Sequence, residues 1–460
     1  MSPPPPLDET GRSASEPAPP GAAPEAETAC DVLIIGGGPS GSTAAALLAE
    51  RGRKVVLLEK DRHPRFHIGE SLLPLNLRLF DRLGVRDRVA AIGVYKPGAR
   101  FVSDSHGGKH VEFAFANGPN PNYTYAYQVR RSEFDELLFR RAQECGALAE
   151  EGVRVMDVAL DAARGGPGHL VIARDAEGRE RRWRARFLID ASGRDTFLAT
   201  RMQSKRRYEH HHSAALYGHF RGVRPYGGAP EEDGNITIHL FDEGWIWMIP
   251  LPQGVMSVGV VSTPAFFKRR KGSFEEYLLA TLARIPSVAA RMEKAELISP
   301  VTATGNYSYR SQVMRGEGWL MVGDAYAFLD PVFSSGVLLA MASAEMGAEA
   351  VDVWLDDPAR AEPMLRAFEH KVNRAIRTFG WLIFRFHKPV MRDMFMNPSN
   401  RFRMRDGLIG LLAGNVHANV NRQLPVLAFK ASYYLLSALY RLGYRARSEG
   451  LVREARGAGA

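Results

Sequence analysis

Cysteine is scarce in this chain, and long apolar runs are missing. Only Cys30 and Cys145 occur among 460 residues, which argues against a disulfide framework and against metal sites built from cysteine. No uninterrupted apolar run reaches the roughly 18 residues of a membrane-spanning helix. The first residues, Met1–Arg12, show no basic stretch followed by an apolar one, so we expect no secretory signal and a cytoplasmic protein.

Large apolar side chains are rare in the N-terminal segment of the chain, and acidic side chains are rare in its C-terminal region. Residues 1–29 are rich in proline, alanine, glutamate and serine, so we expect a disordered tail there. From Arg360 onward the chain has 18 Lys/Arg and 6 Asp/Glu. Such a basic region attracts an acidic protein or a membrane surface, or is only a solvated helical face. We expect no nucleic-acid partner.

A glycine-rich turn stands between a predicted buried strand, 31–38, and a predicted helix, 39–52. A second apolar strand, 54–60, completes a βαβ unit and carries Glu59 near its end. Glycines at this turn allow a pyrophosphate to approach the positive end of the helix, and the carboxylate can accept ribose hydroxyls. The pattern predicts dinucleotide binding by Gly36, Gly37, Gly38, Ser40, Gly41 and Glu59.

A second nucleotide motif lies about 280 residues later. Trp319–Ala325 reads as a strand that ends in Gly-Asp, and Gln128–Asp135 and Asp190–Gly193 complete the pattern. Together these segments resemble the superfamily of FAD-dependent monooxygenases. The resemblance implies that Asp324 contacts the ribityl chain and that Arg131 contacts the flavin.

Three further segments resemble the flavin-dependent halogenases. They are His63–Pro74, the Trp-x-Trp-x-Ile-Pro sequence Trp245–Pro250, and Asp330–Val337. The resemblance implies that Trp245 and Trp247 screen the flavin from organic substrates and that Arg65 helps bind the cofactor. It also implies that Ser335 and Gly336 amides hold halide while Val337 meets the isoalloxazine.

Lys96 lies in Val94–Ala99, which is similar to the catalytic-lysine segment of phenol- and pyrrole-type halogenases. The resemblance implies that Lys96 relays hypohalous acid to the substrate, with Glu70 organising the passage. Tryptophan halogenases carry their lysine at a position where this chain has Arg78, which argues against free tryptophan as the substrate.

The family implies a set of reactants and partners. We expect FAD, reduced by a separate NAD(P)H-dependent flavin reductase, a halide ion, and no metal. The expected substrate is a phenolic or pyrrolic ring, free or tethered to an acyl carrier protein. Three alternatives stay open: an aromatic hydroxylase or epoxidase, a prenyl-chain reductase, and a catalytically silent flavin-binding module.

The expected fold is α/β, with a Rossmann-like FAD-binding domain of the hydroxybenzoate hydroxylase type, an antiparallel substrate-side sheet and a helical C-terminal region. We assign the FAD-binding domain to 30–200 and 301–355, the antiparallel domain to 201–300, and the helical domain to 356–460. A small antiparallel sheet is predicted over 153–189, a separate buried strand over 186–196, and a broader antiparallel sheet over 213–262.

Local signals add three expectations. Residues 132–146 read as a helix capped by Ser132, and the chain beyond Pro363 reads as wholly helical. The apolar helix Val426–Tyr444 covers the active-site entrance, binds a partner or lies on a membrane. The tract Glu209–His212 is interpreted as structural, because adjacent histidines on an extended chain point to opposite faces.

Overall fold

A computed structural model describes residues 27–160, 168–208, 213–227, 233–305, 308–416, 420–447 and 450–453. The first strand already includes Thr28 and Ala29, which the sequence assigned to the tail. The rest of the predicted tail, 1–26, and the Glu209–His212 tract lie outside the described residues.

A parallel sheet forms the centre of the molecule. The apolar, β-branched run of the first strand is buried because the sheet continues on both sides of it. An antiparallel edge strand, Arg315–Gly316, pairs with one end of the sheet. In spatial order the parallel strands are Trp319–Met321, Glu180–Asp190, Thr28–Ile35, Val55–Glu59 and Leu148–Glu151.

One long strand joins this sheet to a small antiparallel one. Glu180–Asp190 pairs with Thr28–Ile35 on one side and with His169–Arg174 on the other, and Arg154–Ala159 follows. The sequence predicted a small antiparallel sheet and a separate strand over 186–196. The structure shows one continuous strand instead, because its 11 residues are enough to pair first with the antiparallel strands and then with the parallel ones.

Three helices pack with the parallel sheet: Pro39–Ala49, Arg131–Glu144 and Gly336–Asp356. The expectation that Ser132 caps the second helix is wrong. The helix begins at Arg131, Arg130 occupies the N-cap, and no side chain caps it. Arg131 belongs to the helix because its guanidinium reaches Asp135, one turn further on.

The second large sheet is antiparallel except for one parallel pair, Ile236–Phe241 with Gly98–Ser103. Two of its strands therefore come from inside the 30–200 segment. In spatial order the strands are Glu296–Leu297, Ala214–Arg221, Val255–Ser262, Gly244–Leu251, Ile236–Phe241, Gly98–Ser103 and Lys109–Ala114, with Thr302–Gly305 also pairing with Ala214–Arg221.

Alternation along Gly244–Leu251 gives the antiparallel sheet two different faces. Ile246 and Met248 point outward into a cluster with Leu278 and Leu282 of the helix Phe274–Ala283. Trp245, Trp247 and Ile249 point inward, toward the parallel sheet. The inward face is thereby turned to the carboxyl ends of the parallel strands.

The C-terminal region packs against the inner face and is mainly helical. Its helices are Pro358–Phe386, Pro389–Met396, Met404–Leu412 and Leu424–Arg441. The expectation of a wholly helical end is wrong, since Tyr444–Arg447 and Gly450–Arg453 pair as a β-hairpin. A turn at Leu442–Gly443, where Gly443 has a φ of 87°, ends the last helix and allows the chain to reverse.

Shorter elements connect these layers. Small sheets pair Gly93–Lys96 with Ala126–Val129, and Lys205–Arg207 and Ala327–Phe328 with Tyr309–Ser311. No helix in the described ranges is both long and apolar enough to cross a bilayer. The remaining helices are Asn76–Leu83, Arg86–Ile92, Phe197–Arg201, Pro264–Lys268 and Pro286–Met292.

Candidate active site

A cavity of about 660 Å³ lies between the two large sheets. One end is lined by the glycine turn and Glu59, at the carboxyl ends of the parallel strands. The other end is lined by the Pro331–Val337 segment and by inward residues of the antiparallel sheet. Carboxyl ends of parallel strands are where ligands of open α/β sheets bind.

The glycine turn has the geometry of a phosphate cradle. A Cβ atom at Gly36, whose φ is 101°, would lie 2.5 Å from the Ala191 carbonyl oxygen, and one at Gly41 would lie 1.8 Å from that of Gly36. A Cβ at Gly38 would meet only the Arg65 guanidinium, at 3.6 Å. Only glycine fits the first two positions, and the N-terminus of Pro39–Ala49, with Ser40, faces the cavity.

Glu59 is held in place at the end of its strand. One carboxylate oxygen accepts the Gly37 amide at 2.7 Å, and the other accepts the Asp61 amide at 3.0 Å. Arg65 approaches Glu59 to 3.5 Å. The carboxylate is buried and lines the cavity, so it is oriented before any ligand binds.

Two arginines converge on one buried carboxylate beside the cavity. Arg131 binds both Asp135 oxygens at 2.7 and 3.0 Å, and Arg65 binds one at 3.1 Å. Burial alone would raise the pKa of Asp135, but the charge and hydrogen bonds of Arg131 lower it overall. The Asp135 carboxylate therefore fixes both arginines at the cavity wall.

Asp324 lies deep in the cavity, after the strand Trp319–Met321. Burial raises the pKa of its carboxyl to about 6, against the opposing charges of Arg131 and Arg194. Its backbone oxygen accepts the Tyr309 hydroxyl at 2.8 Å. The Asp324 carboxyl is partly exposed to the cavity, where it is suited to accept hydroxyl donors of a ligand.

The turn before Gly336–Asp356 presents a helix N-terminus to the cavity. Asp330 accepts the Val332 amide at 3.1 Å, and Ser334 has a φ of 55°, in the left-handed region. Ser335 occupies the N-cap and its side chain makes no capping hydrogen bond. The first amides of this helix thus remain oriented toward a place where an anion can bind.

Trp245 and Trp247 stand side by side on the cavity wall, with ring centroids 5.9 Å apart. The Trp247 indole donates to Ser257 Oγ at 3.2 Å, and its ring covers Gly259, where a Cβ would lie 2.2 Å from it. Trp245 Nε1 is buried and has no hydrogen-bond partner in the described part of the chain. Both rings are buried and limit what reaches this side of the cavity.

Lys96 ends the strand Gly93–Lys96 and is only 1% exposed. Its ammonium donates to Ser71 Oγ and to the Leu72 carbonyl oxygen, both at 2.8 Å, and lies 5.4 Å from the Phe115 ring centroid. Burial lowers the pKa of Lys96 to about 7. At neutral pH the amine is therefore partly uncharged.

Lys96 borders a second, much smaller cavity of about 10 Å³, close to the volume that one water needs. Ser334 and Ile236 line both cavities. The segment with Ser334 is thus the partition between the cavity of the glycine turn and the cavity of the lysine. The other lining residues of the small cavity are Leu73, Ala99, Phe101, Phe115, Ile238, Val332, Phe333 and Leu412.

Glu70 faces the large cavity and not the amine of Lys96. One of its oxygens binds His219 Nε2 at 2.8 Å, and the other is buried without a partner among the described residues. The next residue, Ser71, is the one that contacts Lys96. Both residues line the large cavity, and Ser71 also holds the Lys96 ammonium.

Sequence reasoning missed His219, Ser71 and Phe115 as neighbours of the site. His219 lies 149 residues after Glu70 along the chain, on an ordinary alternating strand. The one sequence signal for His219 is the alternation along its strand, which places its side chain on the inner face of the sheet. Arg78, in contrast, binds Glu345 at 2.9 and 2.5 Å and lines neither cavity.

Comparisons with known proteins also indicate an FAD-binding protein, and they cover most of the chain. A family model described as an FAD binding domain matches residues 29–351. The flavin-dependent halogenase gsfI of Penicillium aethiopicum is 35% identical over 372 residues, which cover 76% of this chain and 69% of that protein.

Two further relatives carry halogenase names. The tryptophan 2-halogenase of Chondromyces crocatus is 37% identical over 324 residues, covering 70% of this chain and 60% of that protein. The solved structure of the myxobacterial chondrochloren halogenase CndH superposes with a TM-score of 0.73 at 29% identity, covering 93% of this chain and all of that one.

Proposed function

The chain belongs to the flavin-dependent halogenases, FAD-using oxidoreductases, and we propose that it chlorinates or brominates a phenolic or pyrrolic ring through Lys96. The observation that carries the proposal is the placement of Lys96. Its buried amine borders a small cavity that shares lining residues with the large cavity of the nucleotide motifs. An oxidised halogen could cross between the two cavities, whereas a large organic molecule could not.

The large cavity fits FAD on its own geometry. The open space at Gly38, the helix N-terminus behind it and the oriented Glu59 suit the adenosine diphosphate portion. Arg65, Arg131 and Asp324 suit the middle of the cofactor, and Val337 suits the ring. When bound, reduced FAD supplies the electrons with which O₂ converts halide and a proton into hypohalous acid and water.

Reduced FAD has to come from elsewhere, since the recognised nucleotide motifs all line one cavity. We assign that supply to a separate NAD(P)H-dependent flavin reductase. The halide is assigned to the amides of Ser335 and Gly336, which begin the helix at the partition between the cavities. Halide oxidation at this point would release hypohalous acid next to Ser334.

The paired indoles are assigned a screening role. Trp245 and Trp247 occupy the wall where an aromatic substrate would otherwise stack against a bound flavin ring. Both indoles are buried in that wall. Screening favours halogen transfer over direct oxygenation of the substrate.

Lys96 supplies the transfer step. In its neutral form the amine donates two N–H groups, to Ser71 and Leu72, and its lone pair is left for the cavity. The lone pair attacks the halogen of hypohalous acid, a nitrogen–halogen bond forms, and water leaves. The electron-rich ring then takes the halogen, loses a proton, and restores the amine.

Glu70 is assigned to the passage on the flavin side. His219 fixes one of its oxygens, and the other is buried without a hydrogen-bond partner among the described residues. A carboxylate there can orient a hypohalous acid molecule by accepting its O–H. Glu70 thus acts before Lys96 and not beside it.

A phenol or pyrrole needs no separate general base, because its ring is already nucleophilic. Arg78 supports this substrate class, since it is engaged with Glu345 away from both cavities. A tethered substrate on an acyl carrier protein would suit the basic C-terminal region. Raising the ionic strength should then raise the KM for the tethered form and leave a free phenol unaffected.

The direct test combines the purified chain with FAD, a flavin reductase, NADH, O₂, bromide and a panel of phenols and pyrroles. Mass spectrometry should show the bromine isotope doublet. Lys96→Met should lower halogenation by at least about 100-fold while FAD binding and bromide oxidation, measured with monochlorodimedone, persist. Lys205→Met is the matched control, because Lys205 is half-buried but contacts Thr196 outside both cavities.

Other outcomes would replace the proposal. A product that gains one oxygen indicates a hydroxylase or epoxidase, and a product that gains two hydrogens from an isoprenoid indicates a reductase. FAD binding without any turnover indicates a flavin-binding module. Normal halogenation by Lys96→Met would show that the lysine assignment is wrong.

A further inference from the structure

The helix Leu424–Arg441 is apolar on two opposite faces, and the described part of the chain covers only one of them. Val426, Phe429 and Tyr433 are buried against the neighbouring helices. The opposite side exposes four large side chains of the helix and one just beyond it. They are Leu424, Leu427, Tyr434, Leu435 and Leu442.

The exposed residues recur at spacings that place them on one side of a helix, with the small Ala431 and Ala438 between them. Leu435 is 64% exposed. We call these five exposed residues the C-terminal apolar stripe. Scattered exposed leucines are common, but a continuous stripe along one helix marks a contact surface.

A neighbouring turn extends the apolar surface. Phe402 is 70% exposed, and its segment, Arg401–Arg403, packs against the helix that carries the stripe. Its φ is 54°, in the left-handed region that aromatic residues rarely adopt. The backbone holds an apolar ring in solvent at a cost, as expected where the ring has a binding role.

The charges around the stripe are almost all positive. Arg401, Arg403, Arg422 and Arg441 are exposed near its two ends. Between residues 398 and 443 the one acidic side chain is Asp406, and it binds Arg403 at 2.9 Å. The surface is therefore a band of apolar residues with a basic rim.

A second copy of the chain is a poor occupant. A twofold interface built on this helix would bring basic residues of one copy near those of the other. Few acidic groups are present to offset them. An anionic lipid bilayer suits this surface better, because its headgroups attract the basic rim and its apolar interior accommodates the apolar stripe.

We propose that the C-terminal apolar stripe and Phe402 dock this protein on an anionic lipid bilayer, with the helix lying in the plane of the interface. Leucine side chains and the Phe402 ring enter the acyl boundary, and the arginines meet lipid phosphates. Tyr434 stays at the edge of this boundary, because its hydroxyl accepts hydrogen bonds from Trp381 and Arg385. The helix also packs on Met404–Leu412, whose Leu412 lines the lysine cavity. Docking thus brings the membrane close to the substrate side of the molecule.

The test is co-sedimentation of the full chain with lipid vesicles. We expect binding to vesicles that contain phosphatidylglycerol and at least about tenfold weaker binding to phosphatidylcholine vesicles. Added salt should weaken the binding. The double variant Leu427→Gln/Leu435→Gln should lose it, whereas Leu279→Gln, an exposed leucine of the helix Phe274–Ala283, should not.

Halogenation of a free, water-soluble phenol should stay unchanged in the double variant, because neither leucine lines either cavity. Failure of the wild-type chain to bind anionic vesicles would overturn the proposal. Light scattering that shows a dimer lost in the double variant, without vesicle binding, would assign the stripe to a second copy. Binding of an acidic carrier protein that the double variant abolishes, again without vesicle binding, would assign it to that partner.

Discussion

The two cavities of this molecule are built in opposite ways. The larger, about 660 Å³, is walled at one end by backbone turns at strand ends and helix N-termini. The smaller, about 10 Å³, is walled by apolar side chains around one amine, and these side chains come from distant parts of the chain. The first is shaped to hold a large cofactor by its backbone. The second changes the chemistry of a single group by excluding water.

This difference separates two kinds of dependence. The large cavity depends on glycines at positions where a Cβ atom cannot fit, and a substitution there would distort the backbone of the turn. The small cavity depends on desolvation of Lys96, to which Phe101, Phe115 and Leu412 all contribute. Changes to one cavity should therefore leave the other largely intact.

The largest expected effect concerns the glycine turn. Gly41→Ala places a Cβ 1.8 Å from the Gly36 carbonyl oxygen, so the helix start must shift. We expect at least about a 100-fold loss of FAD affinity together with a lower Tm. Gly38→Ala should weaken FAD binding without lowering Tm, since its Cβ meets only Arg65 at 3.6 Å.

Flavin fluorescence quenching and thermal melting of the apo chain measure the two effects. An unchanged FAD affinity in Gly41→Ala would show that the large cavity does not depend on this turn, and the contrast between the two cavities would then be wrong.

The next effect is a pH dependence that belongs to the small cavity alone. Because burial lowers the pKa of Lys96 to about 7, its neutral form should increase about tenfold from about pH 6 to about pH 8. The rate of ring halogenation should rise over the same range, under conditions where bromide oxidation is not limiting. Monochlorodimedone bromination by Lys96→Met should lack this rise.

The lowered pKa of Lys96 should also make the free energy of unfolding depend on pH. Between about pH 7 and pH 10 the unfolded chain holds a proton on Lys96 that the native amine lacks, so native stability rises with pH. Lys96→Met should remove that rise and stabilise the fold more at pH 7 than at pH 9. Equal Tm differences at both pH values would show that Lys96 is not desolvated.

The smallest expected effect concerns the wall that the C-terminal helices provide. Leu412→Ala enlarges the small cavity and should destabilise the fold by about 2–4 kcal/mol. The pKa of Lys96 should rise toward its ordinary value, because water that enters the added volume solvates the amine. A shift of the pH profile of ring halogenation to higher pH measures this change, and FAD binding should not change.

Local patterns predicted much of the fold. The buried run before Gly36 is a parallel strand, and the glycine spacing produced the turn, because both depend on residues adjacent in the chain. The alternation around Trp245 gave an antiparallel strand with an inward pair of indoles. The α/β class and the FAD-binding domain follow from the same local features and are confirmed.

Other predictions failed where one local signal overrides another. Ser132 has good capping chemistry, but the Arg131–Asp135 pair, one helical turn apart, draws Arg131 into the helix. The chain beyond Leu442 has helix-compatible residues, yet Tyr444–Arg447 pairs with Gly450–Arg453. In both places the contact that decides the structure lies close in the chain but competes with an equally local helix signal.

The sequence by itself indicated the family, the cofactor class and the residues worth testing, because its motifs resemble those of the flavin-dependent halogenases. Only the tertiary structure decided that Lys96 is buried, that Ser334 and Ile236 lie on a wall shared by two cavities, and that His219 holds Glu70. The physical reason is that desolvation and cavity shape are properties of side chains from many segments packed together. No local pattern along the chain encodes them.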